Sequence, residues 1–137
     1  MKSHPFVLMI PSDFHRLEDT LTQLEAFFLS HHLDQDTVDN LVIASSEIIS
    51  NAMEHGNHYD PDLQVSITIR MTPREIIIAI KDQGQGFTEK NIADPLLKDN
   101  LTKTEGRGIF ITRHLVDHVQ FNFTPTGTET ILTKHLE

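Results

Sequence analysis

The run Ile76-Ile77-Ile78-Ala79-Ile80 leaves this chain few ways to fold. Successive side chains of a strand point to opposite faces, so an uninterrupted apolar run belongs in the middle of a sheet. Branching at Cβ favours the extended backbone as well. The turn Thr72-Pro73-Arg74 stands before the run and Asp82-Gln83-Gly84 after it, which predicts a central strand over Glu75 to Lys81. Upstream, Leu63 to Met71 alternates, with Val65, Ile67, Ile69 and Met71 one way and Ser66, Thr68 and Arg70 the other. That is the pattern of a half-buried strand beside it.

The remaining elements follow from period and punctuation. Phe6 to Ile10 reads as a short, continuously apolar strand stopped by Pro11, and Ser12 or Asp13 is placed to cap a helix. In that helix Phe14, Leu17, Leu21, Leu24 and Phe28 form an apolar seam to about Ser30, which packs on the sheet or serves a dimer or partner interface. His31-His32 ends it, and Asp34 or Asp36 starts a longer helix, running from about Thr37 until Gly56 breaks it. Val38, Leu41, Val42, Ser45, Ile48, Ile49 and Ala52 share its apolar face. Asn57 to Asp62 connects to the strands already described. Thr88 to Glu105 has weak periodicity and the length of a lid or binding loop. Gly106-Arg107-Gly108 then opens a short helix to about Asp117. His118 to Phe123 and Thr128 to Lys134 are strands about the turn Pro125-Thr126-Gly127. The expected fold is an α/β two-layer sandwich, a mixed, largely antiparallel sheet with helices on one face. At 137 residues the expectation is one domain over 1–137.

Composition removes several functions. A formal charge of −9 with scattered Lys and Arg opposes sequence-independent binding to nucleic acid. An anionic ligand would therefore need backbone N–H groups, a helix N-terminus or a metal ion. Without cysteine there is no disulfide, thiol nucleophile or thiolate metal site. No apolar run approaches the roughly 18–20 residues of a membrane span, and the start is too short for a signal-peptide core, so the expected location is the cytoplasm.

Four stretches could carry chemistry. Glu47, Asn51 and His55 lie four apart on the margin of the long helix's apolar face, where they stack along one flank. Asn is a mediocre helix former, so position and propensity disagree there. Solvated helix residues would read the same way. Asp82-Gln83-Gly84-Gln85-Gly86-Phe87 follows the central strand. A carboxylate at a buried strand end requires donors, which a backbone turn or an adenine amine supplies. Gly84 and Gly86 let a flat ligand approach the backbone. The stretch lacks the third glycine and immediate helix of a dinucleotide fingerprint and the alternating ligands of a calcium loop, and a plain Asp-Gly turn fits it too. Gly106-Arg107-Gly108 at a helix start presents free N–H groups and the positive end of the dipole, suited to phosphate. Gly127-Thr128 is a hairpin signal whose hydroxyl could also reach a base. Nine scattered histidines give no metal-site spacing, so a metal enzyme on Glu47, His55 and His58 is disfavoured.

In order and separation these boxes resemble the nucleotide-binding motifs of the GHKL ATPases, the superfamily of gyrase-type ATPases and histidine kinases. Within it the chain looks most like the anti-sigma factor serine/threonine kinases, a resemblance spanning nearly its whole length and implying the histidine kinase-like ATPase fold. The resemblance implies that Asn51 ligates Mg²⁺ on the phosphates of ATP and that Glu47 is the general base. It gives Asp82 the adenine amine, with Gly84 and Gly86 admitting the ring, Gly106 and Gly108 donating to phosphate, and Thr128 completing the adenine end. Arg107 stands where many relatives carry an apolar residue, and the lid has no clear counterpart. The implied function is an ATP-dependent protein kinase that phosphorylates a small antagonist protein, holds a sigma factor and pairs as a homodimer, with no direct nucleic-acid or membrane contact. Two rivals remain: a non-catalytic ATP-binding module, and the ATP-binding half of a histidine kinase. The latter needs an exposed phospho-accepting histidine in mid-helix, whereas His31-His32 stands at a helix end.

Overall fold

The computed structural model describes residues 5–84 and 106–136. Gly86 and the anticipated lid, 88–105, lie outside the described residues. Five strands form one sheet among those described: β1 (Phe6–Pro11), β2 (Gln64–Met71), β3 (Glu75–Lys81), β4 (His118–Thr124) and β5 (Gly127–His135). Their order is β1-β2-β3-β5-β4, with β3 in the middle as its isoleucines require. All four pairings are antiparallel, so among the described residues the sheet is not mixed. The reason is local. β2–β3 and β4–β5 are tight hairpins, antiparallel by construction, and β5 rather than β4 lies against β3.

Burial alternates along the strands. Ile76, Ile78 and Ile80 are buried with Val65, Ile67, Ile69 and Leu132, whereas Ile77 and Ala79 are half-buried. The helices pack on one face, so the run in β3 is central without being covered on both sides. β1 is an edge strand, and its apolar run likewise splits: Ile10 is buried while Val7 and Met9 are exposed. Pro11 is the last residue of β1, at an edge where its missing N–H costs no ladder bond.

Among the described residues three helices cover the buried face: α1 (Leu17–Ser30), α2 (Gln35–Asn51) and α3 (Gly106–Leu115). A 3₁₀ turn, Phe14–Arg16, precedes α1, with the Asp13 carboxylate accepting from the His15 N–H at 2.9 Å. Phe14 is therefore not the first residue of the seam and is 59% exposed, because a turn of three residues carries it off the helical line. The seam starts at Leu17, and Leu24 and Phe28 have no exposed surface. Burying each such side chain stabilises the fold by about 1.5–3 kcal/mol. Phe27 of α1 stacks on Phe6 of β1 with centroids 4.3 Å apart, which fixes α1 over that edge.

Asp34 caps α2, its carboxylate accepting from the Thr37 N–H at 3.1 Å. Hydrogen bonding from the Thr37 side chain, and then from that N–H, holds the Asp34 carboxyl below the usual range. Val38, Leu41, Ala44, Ser45, Ile48 and Ile49 are the buried face, with Val42 at its margin. α3 is anchored by buried Ile109 and Thr112, and Val116 just beyond its end is buried with them. No helix among the described residues is long and apolar enough to cross a membrane.

Candidate functional site

The site begins where α2 ends. Gly56 does not stop the helix by fraying it. The chain widens into a π turn, Ala52–Gly56, closed by the Asn57 N–H donating to the Ala52 carbonyl at 2.9 Å. Such turns recur at functional sites because they re-aim the helix that carries them. Residues four apart no longer superpose across it, so His55 leaves the line of Glu47 and Asn51, and its Nε2 lies 3.9 Å from Glu54 Oε2. His58 and Tyr59, just beyond, hold the left-handed backbone at φ of 51° and 55°.

Glu47 and Asn51 are half-buried on the last turns of α2. The start of α3 lies against them. A β-carbon at Gly108 would stand 2.6 Å from Glu47 Oε2 and 3.8 Å from Asn51 Nδ2. Asn51 Nδ2 is buried and has no hydrogen-bond partner among the described residues. An unpaired buried amide costs about 1–3 kcal/mol, so it marks a place where a partner is expected. Gly106 is the first residue of α3, where N–H groups lack intrahelical partners. The side chain of Arg107 lies outside the described residues.

The second half of the site surrounds Asp82, which follows β3 and is 5% exposed. Its Oδ1 accepts from the Thr128 N–H at 2.9 Å and the Gly84 N–H at 3.1 Å. The Asp82 N–H donates in turn to the Thr128 carbonyl at 3.0 Å, so Thr128 acts on Asp82 through its backbone. Three glycines wall the carboxylate: a β-carbon on Gly56 would collide with Oδ2, one on Gly84 with the Gly56 carbonyl, and one on Gly127 with the Asp82 carbonyl. Gly127 also has φ of +144°, which side chains rarely adopt. Among the described residues no group donates to Oδ2. Burial pushes the Asp82 carboxyl above its ordinary range, against the pull of the Thr128 and Gly84 N–H groups and of Lys81 and His58.

The structure thus gathers Glu47, Asn51 and Gly108 at one point and Asp82, Gly84 and Thr128 at another. The π turn joins them. Two contributors escaped sequence reasoning. Gly56 reads as a helix breaker yet packs on Asp82. Asn57 reads as a loop residue yet is 1% exposed and hydrogen-bonded on three sides. Neither leaves a periodic signal, since both contacts are made between segments far apart in the chain.

The family described as histidine kinase-like ATPase domain matches residues 10–134. The anti-sigma F factor of Bacillus velezensis is 31% identical over 105 residues, covering 74% of this chain and 71% of that protein. Among solved structures, the RsbU and RsbW domains of Rv1364c from Mycobacterium tuberculosis align with a TM-score of 0.71 at 18% identity. That alignment covers 96% of this chain and 32% of the other, so the chain spans about a third of that molecule. The mycobacterial sensor histidine kinase MprB aligns at 0.54 and 15% identity, covering 96% of this chain and 97% of its own. At such identities the two structures speak to the fold. Family, relatives and architecture agree: this chain belongs to the histidine kinase-like ATPase domain family, in the company of the anti-sigma F factors.

Proposed function

We propose that the chain is an ATP-dependent protein serine/threonine kinase acting as an anti-sigma, partner-switching regulator. The observation that carries this reading is the meeting of the Glu47 carboxylate, the unpaired Asn51 amide and the start of α3 at Gly108. Phosphoryl transfer asks mainly for positioning and charge stabilisation, which such a sparse set can supply.

In this reading Asp82 Oδ2 accepts from the adenine amine, Gly84 and Gly86 admit the ring, and Thr128 closes that end. Gly106 and Gly108 turn backbone N–H groups to the phosphates, and Arg107 between them adds a positive charge. Asn51 fits Mg²⁺: rotating its amide by half a turn exchanges oxygen for nitrogen and aims an acceptor at the same place. Bound there, the ion would neutralise phosphate charge. Glu47 takes the proton of a serine or threonine hydroxyl as its oxygen attacks the γ-phosphorus. The bond from that phosphorus to the bridging oxygen breaks, and ADP leaves.

The substrate is a small antagonist protein, and the chain holds a sigma factor when that antagonist is phosphorylated. The reading includes a homodimer, by analogy with the family. The test is transfer of radiolabel from ATP to the small protein that co-purifies with the chain, alongside calorimetry. Glu47→Ala should bind ATP and lose about 10²–10⁴-fold in transfer. Asn51→Ala should weaken the Mg-ATP complex itself. Unchanged transfer in both variants would end the proposal.

A further inference from the structure

Asn57 stands at the junction of four segments. Its Nδ2 donates to Ser12 Oγ at 2.6 Å, beyond the end of β1, and to the Gln64 carbonyl at 3.1 Å, at the start of β2. Its Oδ1 accepts from the Gln83 N–H at 2.8 Å, at the exit of β3. Its own N–H closes the π turn. Ser12 is buried too, and its hydroxyl donates onward to the Leu63 carbonyl at 2.8 Å. Only a primary amide offers one acceptor and two donors at this reach. An aspartate would set a carboxylate oxygen against the Gln64 carbonyl, and an alanine would leave the Gln83 N–H without its acceptor.

Gln83 lies between the two residues that shape the base end of the site. On one side is Asp82, on the other Gly84, whose backbone meets the Gly56 carbonyl. Asn57 follows Gly56, so a single side chain fixes the exit of β3 against the π turn. We propose that Asn57 is a positioning residue for base selection: by locking Gln83 to the π turn it places Asp82 Oδ2 where a 6-amino purine is accepted and a 6-oxo purine refused. The inference rests on the nucleotide reading above. An adenine amine donates to a carboxylate oxygen, whereas the guanine carbonyl sets acceptor against acceptor. Such rejection depends on where the buried carboxylate is held. If the strand exit shifts, the gain from the right base and the penalty on the wrong one both shrink.

The experiment is calorimetric titration of ADP and of GDP into the full chain, well below its melting temperature. The wild type should prefer ADP. Asn57→Ala and Asn57→Asp should each weaken ADP binding by about tenfold and narrow the ADP-to-GDP preference by a similar factor. Ser12→Ala removes one contact and leaves the other two, so it should narrow the preference a few-fold, and it decides the matter if the Asn57 variants do not fold. A purely structural residue would lower the fraction folded and weaken both nucleotides equally. An unaltered preference in the variants that fold would overturn the role of Asn57 while the nucleotide reading stands. A wild-type chain indifferent to ADP would overturn both.

Discussion

Gly56 and Asp82 are so close that no side chain fits between them: a β-carbon on Gly56 would occupy the space of the Asp82 carboxylate. The helix that carries Glu47 and Asn51 therefore runs on through the π turn into direct contact with Asp82. Gly56→Ala should push Asp82 aside or distort the π turn. Overpacking of this kind costs about 1–3 kcal/mol, and ADP binding should weaken with it. Urea denaturation and calorimetry measure the two effects, and wild-type values in both would contradict the contact.

Gly108 poses a gentler version of the same problem. Its missing β-carbon faces the far end of the flexible Glu47 side chain, with Oε2 at 2.6 Å. The carboxylate can swing away, and Ala favours a helix over Gly by up to about 1 kcal/mol. Gly108→Ala should therefore keep its stability to within about 1 kcal/mol. Phosphoryl transfer should fall, since a displacement of about 1 Å in a reacting group can cost on the order of 100-fold. A radiolabel transfer assay on a variant of checked stability separates the two.

Asp82 gives a signed dependence on pH. Burial holds its carboxyl above the ordinary range, so the folded state retains the proton more firmly than the unfolded chain does. Its contribution to stability is full below the ordinary carboxylate value and is lost as pH rises through the raised one. Asp82→Asn is free of that loss, so it should gain stability relative to the wild type as pH climbs through this window. The ligand behaves in the opposite sense. Only the ionised carboxylate leaves Oδ2 free to accept, so ADP affinity should fall as pH drops through the raised value, and Asp82→Asn should bind poorly throughout. Urea unfolding and ADP titration over a pH series check both slopes.

Ser45 offers a stability test away from the site. Its hydroxyl is wholly buried on α2 and has no partner among the described residues. Ser45→Ala removes an unsatisfied polar atom and improves helix propensity, so it should raise stability by about 1 kcal/mol. Leu24→Ala, in the same core, should instead cost about 2–5 kcal/mol. Thermal and chemical denaturation of the pair would expose an error in the packing described for α1 and α2.

Local pattern was enough for the elements that repeat. β2 and β3 follow from alternation and from the isoleucine run, and α2 from the spacing of Val38, Leu41, Ser45, Ile48 and Ile49, because each periodicity is a property of neighbouring residues. Glu47 and Asn51 share a flank for the same reason. Periodicity failed where geometry changed from one residue to the next: Phe14 left the seam in a 3₁₀ turn, and His55 left the flank in a π turn. Tertiary structure alone decided that β5 lies against β3, that Gly56 and Gly127 close around Asp82, and that Asn57 ties Ser12 to Gln83. Those contacts join residues remote along the chain, and a glycine or an asparagine in a loop is written identically whether it merely turns the backbone or fills the one space where nothing larger fits.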